Sequence, residues 1–382
     1  MRTFDAVIIG AGSVGLPLSY ELARKGLKVA VLDKNPSFGR GQNKAAIGGI
    51  RATHSDPAKI RICQMSLDII QSLEKKHGYY LDWEKGGYLF PVYDQEREAG
   101  LRKLLVIQKK YNLNIEWISP KQVQELAPGI NPRDLRGGTF SPDDGSASPL
   151  KVALVFHKLA VQQGAKFFFN EEVIGFEKEN QLITKIHTTK ESYSSDLVVD
   201  ASGADARLIG KILDLDVPVY PDSHESGITE PVRRFFQPMI VDIRSDEQSA
   251  NYYFYQKQEG QVVFCITPKP KIEGTDCDCT SSFLPLVVRR MVSLYPRLRN
   301  LRVRRTWRGL YPMTPDGFPI VGHTKEIRNL VLAVGMCGQG FMLGPGLGAI
   351  LAEILVDKTE KHQDILDQLS LYRSFKGQEV LK

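Results

Sequence analysis

Short apolar runs rich in Val and Ile alternate with stretches whose apolar residues recur every three or four positions, and the style changes twice along the chain. Asp5–Gly10 (DAVIIG) is a β-branched run of the kind buried in a parallel sheet. Glycines follow, and Leu18, Leu22 and Ala23 then share one face of a predicted helix over 16–25, closed by Gly26. Lys28–Asp33 (KVAVLD) predicts a second buried strand, so 5–33 reads as one βαβ unit. A polar, glycine-rich loop over 34–49 leads to a predicted helix over 58–76, with Ile62, Met65, Ile69, Ile70 and Leu73 on one face.

From 79 to about 144 the pattern is different. GGYLFPVY is strand-like, 95–111 is a charged amphipathic helix, and Ser119 caps a short helix in SPKQVQELAP. A helix over 150–163 precedes strands at 166–176, 181–188 and 196–200. Strands dominate 218–305, notably 236–242, 251–257 and 261–267. The βα style returns with a strand over 330–334, a glycine-rich turn and a helix over 346–357. Such alternation predicts an α/β chain of two domains, each assembled from discontinuous segments.

Composition narrows the class without naming it. The chain has 382 residues, 42% hydrophobic and 25% charged, with 33 Gly and 21 Pro, which excludes disordered, collagenous and coiled-coil chains. A formal charge of +6 is mild for this length and fits an anionic small ligand as well as nucleic acid. The arginines at 289, 290, 297, 299, 302, 304, 305 and 308 alternate with Leu, Val and Trp307, as on a helix and strand with one solvated or partner-facing side rather than in a basic groove, and no nucleic-acid partner is expected. Five cysteines spread over a long chain make no disulfide framework, and Cys277-Asp278-Cys279 is too short of ligands for a tetrahedral zinc site; no metal is expected. No run reaches the roughly 20 apolar residues that span a bilayer. A cytoplasmic protein without an integral membrane segment is the expectation.

The chemistry begins at Gly10, Gly12 and Gly15. They form G-A-G-S-V-G, with Ser13 and Val14 between, directly after a strand and at the opening of a helix. The first glycine permits a tight turn, the second a close backbone approach to a pyrophosphate, and the third close helix–strand packing. The helix N-terminus offers free amides to the phosphates, and Asp33, ending the next strand, can accept hydrogen bonds from a ribose diol. Two more features favour FAD over NAD. In DLVVDASGAD (196–205) a buried strand ends in the small-residue turn Ala201-Ser202-Gly203. In 329–355 a strand enters a loop with Gly335, Gly338 and Gly340 before another helix, and a second glycine-rich helix entrance suits a long cofactor.

Four patches, G-A-G-S-V-G, AAIGGIRATHSDP (45–57), RGLYPMTPDGFPIVG (308–322) and GMCGQGFMLGPGLG (335–348), carry a resemblance. The chain resembles the D-amino-acid-oxidase-type flavoproteins, and within them the group of sarcosine oxidase β-subunit, dye-linked L-proline dehydrogenase β-subunit and glycine oxidase. That resemblance implies a glutathione-reductase-type, Rossmann-like FAD domain (1–80, 145–215 and 306–382). It also implies a smaller substrate domain (81–144 and 216–305) with a mainly antiparallel mixed sheet flanked by helices. It assigns Ala45, Ala46, Gly48, Gly49 and Ile50 to the flavin ring, and Gly338, Gln339, Gly340, Phe341 and Met342 to its pyrimidine side. Lys34, Val173, Gly309 and Gly335 are further implied cofactor positions. Arg51 matches a holder of the substrate carboxylate, sensible for a guanidinium that offers a fork of donors. Tyr253, Tyr255, Tyr311, Gln339 and His54 are the other candidates around the substrate.

The implied reaction is oxidation of a small amino acid, a secondary or N-alkyl amine such as proline, sarcosine or glycine. The Cα hydrogen leaves as hydride to flavin N5 and an imine results. Departures from the monomeric sarcosine oxidases modify this picture. Met342 stands where they have a carboxylate-binding lysine. Gly309 stands where they attach flavin to a cysteine, so FAD is expected to be non-covalent. The strand 261–267 lacks their oxygen-activating lysine. A dehydrogenase, with a partner subunit as a possible electron acceptor, is therefore favoured over an oxidase. Two alternatives stay open: a 2-hydroxy-acid dehydrogenase with His54 or His323 as base, and an FAD-binding subunit active only with a partner chain.

Overall fold

The computed structural model describes every residue except Gln378, Val380 and Lys382. Two large sheets organise it. In the first, strands Leu330–Val334, Ser192–Asp200, Arg2–Ile9, Val29–Asp33 and Lys166–Phe169 run parallel in that order, and Ile320–His323 adds an antiparallel edge. Strand alternation sends Ala6, Ile8, Val29, Val31, Val199 and Val331 to one side and Val7, Ile9, Ala30, Leu32, Val198 and Leu332 to the other. Both sides are buried, as a parallel sheet requires. Helices Gly15–Arg24, Pro57–His77, Pro149–Gln162 and Gly340–Asp357 cover the first side. Helix Ala206–Ile212 and the hairpin Val173–Glu179/Leu182–Thr188 cover the second.

Local chemistry explains several boundaries. Asp56 caps the helix Pro57–His77 by accepting from Lys59 N at 3.0 Å, and Pro57 supplies a preset φ at the first helical position. The helix Pro120–Leu126 carries a full capping box between Ser119 and Gln122.

In the second sheet the order is Val303–Met313, Tyr220–Thr229, Val262–Pro268, Ser249–Gln256, Met239–Asp242, Tyr88–Val92, Gly137–Ser141, Glu116–Ile118. Every neighbouring pair is antiparallel except Met239–Asp242 with Tyr88–Val92. One face buries Tyr252, Phe254, Phe264 and Ile266 under the helix Phe283–Leu294. The opposite face presents Tyr253, Tyr255, Val263 and Tyr88 towards the first sheet's loops.

Two expectations need correction. The C-terminal helix begins at Gly340 rather than 346, with Pro345 in its first turns, so the loop over 335–348 is half helix. The run 166–176 is two strands, broken where Asn170 adopts φ 52°. The helix Gly340–Asp357 is apolar and long enough to cross a bilayer by length and composition, with 61% of it buried inside the molecule. Among the arginines over 289–308, Arg289 and Arg290 pair with Asp246 at 3.2 and 3.1 Å, and Arg308 is buried.

Candidate active site

A cavity of about 1160 Å³ runs between the two sheets. Its first end is the sequence fingerprint. Gly10 adopts φ +108°, and a Cβ there would stand 2.5 Å from the Ala201 carbonyl oxygen. A Cβ on Gly15 would meet the Gly10 oxygen at 1.9 Å, so Gly15 packs helix on strand and does not line the cavity. A Cβ on Gly12 would meet nothing within 4 Å: the backbone there borders open space that a ligand can approach closely. Asp33 accepts from Ala11 N at 2.7 Å and from Asn35 N at 2.8 Å, tying the glycine turn to the end of its own strand. Ser13, Val14, Lys34, Val173, Ala201, Ser202 and Gly203 line the same end. Lys34 and Asp205 form an ion pair there at 2.7 Å.

The loop over 42–51 follows, pressed against the second sheet. Tyr255 donates to the Ile47 carbonyl at 2.5 Å, Trp307 Nε1 to the Ala45 carbonyl at 2.9 Å, and Leu310 N to Gln42 Oε1 at 2.6 Å. Gly309 touches this loop, since a Cβ on it would stand 2.4 Å from Ala45 Cβ. Ala45, Ala46, Gly48, Gly49 and Arg51 line the cavity; Ile50 is wholly buried behind it. From the other side come Gly338, Gln339, Gly340, Phe341 and Met342, the entrance of the helix Gly340–Asp357. Gly338 adopts φ +81° with Tyr311 packed where a Cβ would be, 2.3 Å away. Gln339 Oε1 is buried with no hydrogen-bond partner among the described residues, an acceptor awaiting a donor from a ligand. Gly335 packs on Thr314 instead of lining the cavity.

At the far end the sheet supplies a polar aromatic wall. The hydroxyls of Tyr253 and Tyr311 lie 2.8 Å apart. Burial pushes both phenols well above their ordinary range, so they act as neutral hydrogen-bonding groups. The His224 ring stacks on Tyr311 with centroids 3.7 Å apart, and its Nε2 lies 3.3 Å from Asp222 Oδ2. Arg51, only 6% exposed, donates to the Thr53 carbonyl and, at 2.5 Å, to the Leu381 carbonyl.

Two candidates move away from the cavity. Tyr255 does not line it and acts on it through the loop at Ile47 and Gly48. His54 is fully buried beside Cys63 Sγ at 3.4 Å, and burial followed by Arg51 and Lys59 keeps it well below its ordinary pKa. His323 is outside this cavity as well, and Cys277 and Cys279 stand exposed in a loop at its rim. Sequence reading passed over His224, Ser226, Asn251 and Thr267, which line the wall. Their signal was polar alternation along strands, which reads equally as a solvent face.

The model for FAD dependent oxidoreductases, DAO, matches residues 5–354. The chain belongs to that family. FAD is its cofactor, and the cavity fits it in the open backbone at Gly12 and in the Gln339 acceptor that has no partner among the described residues. The L-proline dehydrogenase of P. horikoshii is similar in structure, with TM-score 0.91, 29% identity and coverage of 97% of this chain and 98% of that one. Glycine oxidase of Bacillus subtilis is 25% identical over 97% of this chain and 98% of its own length. Mouse mitochondrial sarcosine dehydrogenase is 25% identical over 93% of this chain, which spans only 40% of that protein's length.

Proposed function

We propose that this oxidoreductase removes two electrons from a small amino acid, a secondary or N-alkyl one such as proline or sarcosine, or glycine, and leaves an imine that water hydrolyses. The carrying observation is the buried guanidinium of Arg51 at one end of the cavity, within one enclosure with the neutral Tyr253–Tyr311 hydroxyl pair. The three relatives are named for proline, glycine and sarcosine, which supports the reading. Arg51 is the proposed carboxylate holder, because a guanidinium matches a carboxylate with parallel donors. Tyr311, Tyr253 and Met342 would exclude water and orient the amine. FAD, when bound, supplies the two-electron acceptor. In this scheme the protein contributes orientation and a desolvated enclosure rather than a strong base.

The 2-hydroxy-acid reading loses the two histidines it would have used, since neither His54 nor His323 reaches the cavity. We further propose that 1–80, 145–215 and 306–382 are the FAD domain and that the rest binds substrate. Met342 and the lysine-free strand Val262–Pro268 support a dehydrogenase over an oxidase. The five free thiols suit a reducing, cytoplasmic setting.

The test is the absorption of bound FAD under anaerobic conditions before and after sarcosine, proline, glycine and a 2-hydroxy acid, added singly. Bleaching by one amino acid supports the proposal, and slow recovery on admitting air supports a dehydrogenase. Bleaching only by the hydroxy acid would replace the reading, with His224 as the base to examine. No bleaching at all would point to a chain that needs a partner subunit.

A further inference from the structure

Gly377, Glu379 and Leu381 lie against the Arg51 end of the cavity, and Glu379 is anchored in the interior. Glu379 and Lys59 form an ion pair whose side chains are both 0% exposed. Ser55 also donates to Glu379, through its hydroxyl and through its backbone N at 3.4 Å. Leu381 N also donates to the same carboxylate at 3.1 Å. Gly377 packs on Phe318, over whose ring Lys59 Nζ stands at 5.2 Å. Beyond this anchor, Leu381 is 4% exposed and lines the cavity, packed with Tyr88, Phe90 and Leu101. Its carbonyl accepts from Arg51 at 2.5 Å.

We infer that Lys59, Glu379 and Leu381 are built parts of the substrate site, in which Lys59 and Glu379 are positioning residues and Leu381 sets the length of substrate the cavity accepts. The inference rests on the amino-acid reading for the identity of the substrate, not for the placement of these three residues. With Thr53 and Leu381 each taking a donor, the guanidinium of Arg51 is held in one orientation, and its remaining N–H groups are left for a carboxylate. Without Glu379 the buried Lys59 would be left an uncompensated charge, so the pair holds Glu379 in place. Leu381 then closes the end of the cavity as a fixed wall.

The test uses the full chain loaded with FAD. Arg51 is labelled with phenylglyoxal, and its rate is followed by peptide mass spectrometry in wild type, Glu379→Gln and Leu381→Gly. The expected result is labelling at least tenfold faster in both variants, with FAD retained. Should Glu379→Gln fail to hold FAD, Leu381→Gly carries the test with the ion pair intact. Equal labelling rates in every FAD-loaded variant would overturn the inference. With an amino acid that bleaches the flavin, Glu379→Gln should raise KM about tenfold and change kcat less than twofold. Leu381→Gly should favour longer side chains. Faster labelling in a protein whose flavin no amino acid bleaches would leave the role of these three residues standing and remove the functional reading alone.

Discussion

Individual side chains in this molecule are decided by burial as much as by identity. Arg51 has polar partners at two of its nitrogens, so replacing it by Ala removes charge from a place that is built to hold it. Arg51→Ala is expected to weaken apparent substrate affinity about 10- to 100-fold with FAD still bound, read by steady-state kinetics and the flavin-to-protein absorbance ratio. Unchanged KM would take the carboxylate role from it. Asp200 illustrates the opposite case. It ends the strand Ser192–Asp200 fully buried, accepts from Ser202 N at 2.9 Å, and burial pushes its carboxyl up to about 6. An acid whose folded pKa is raised binds its proton more tightly when folded, so the folded state loses stability as pH rises from about 4 to 6. At 1.36 kcal/mol per pKa unit, the cost above pH 6 is about 3 kcal/mol. Asp200→Asn keeps the acceptor and removes the charge. Its melting temperature should exceed wild type above pH 6, and the gain should vanish near pH 4.

At the scale of elements, the helix Gly340–Asp357 is the hub. A Cβ on Gly344 would stand 1.8 Å from the Ser13 carbonyl oxygen, and one on Gly346 would stand 2.0 Å from the Ile62 oxygen. Gly344 lets this helix touch the fingerprint turn just before the helix Gly15–Arg24, and Gly346 lets it touch the helix Pro57–His77, backbone to backbone; neither lines the cavity. Overpacking such a contact typically costs 1–3 kcal/mol, more than the roughly 1 kcal/mol Ala gains over Gly in a helix interior. Gly344→Ala should therefore lower the melting temperature and, because Ser13 belongs to the fingerprint turn, release FAD. Gel filtration followed by the ratio of flavin to protein absorbance checks this. The glycine-rich sequence alone could not separate the two uses. Gly338 and Gly340 line the cavity while Gly344 and Gly346 pack helices, although all four sit in one run.

For the molecule as a whole, legibility followed distance along the chain. The βαβ unit over 5–33, its glycine turn and Asp33 were readable because every group involved lies within about one supersecondary motif. Family resemblance extended the reading to the loop over 45–51 and to Gly338–Met342. What stayed hidden is non-local. His224, Ser226, Asn251 and Thr267 look like a solvent-facing row until the second sheet is placed against the cofactor loop. His54 looked close to the chemistry because Arg51 is three residues away, yet its ring turns into the core beside Cys63. Leu381 meets Arg51 across more than three hundred residues, and no periodicity reports such a meeting.

The order of these parts also sets a timetable. The helix Gly15–Arg24 is covered by Gly340–Asp357, so two elements that pack together leave a ribosome far apart in time. At about 5–20 residues per second, the roughly 300 residues between them take about 15 to 60 s to synthesise. Throughout that interval Leu18 and Leu22 lack their final covering, and the phosphate turn at Ser13 lacks the helix that holds it. Through that interval the nascent chain carries apolar surface whose own cover has yet to be made.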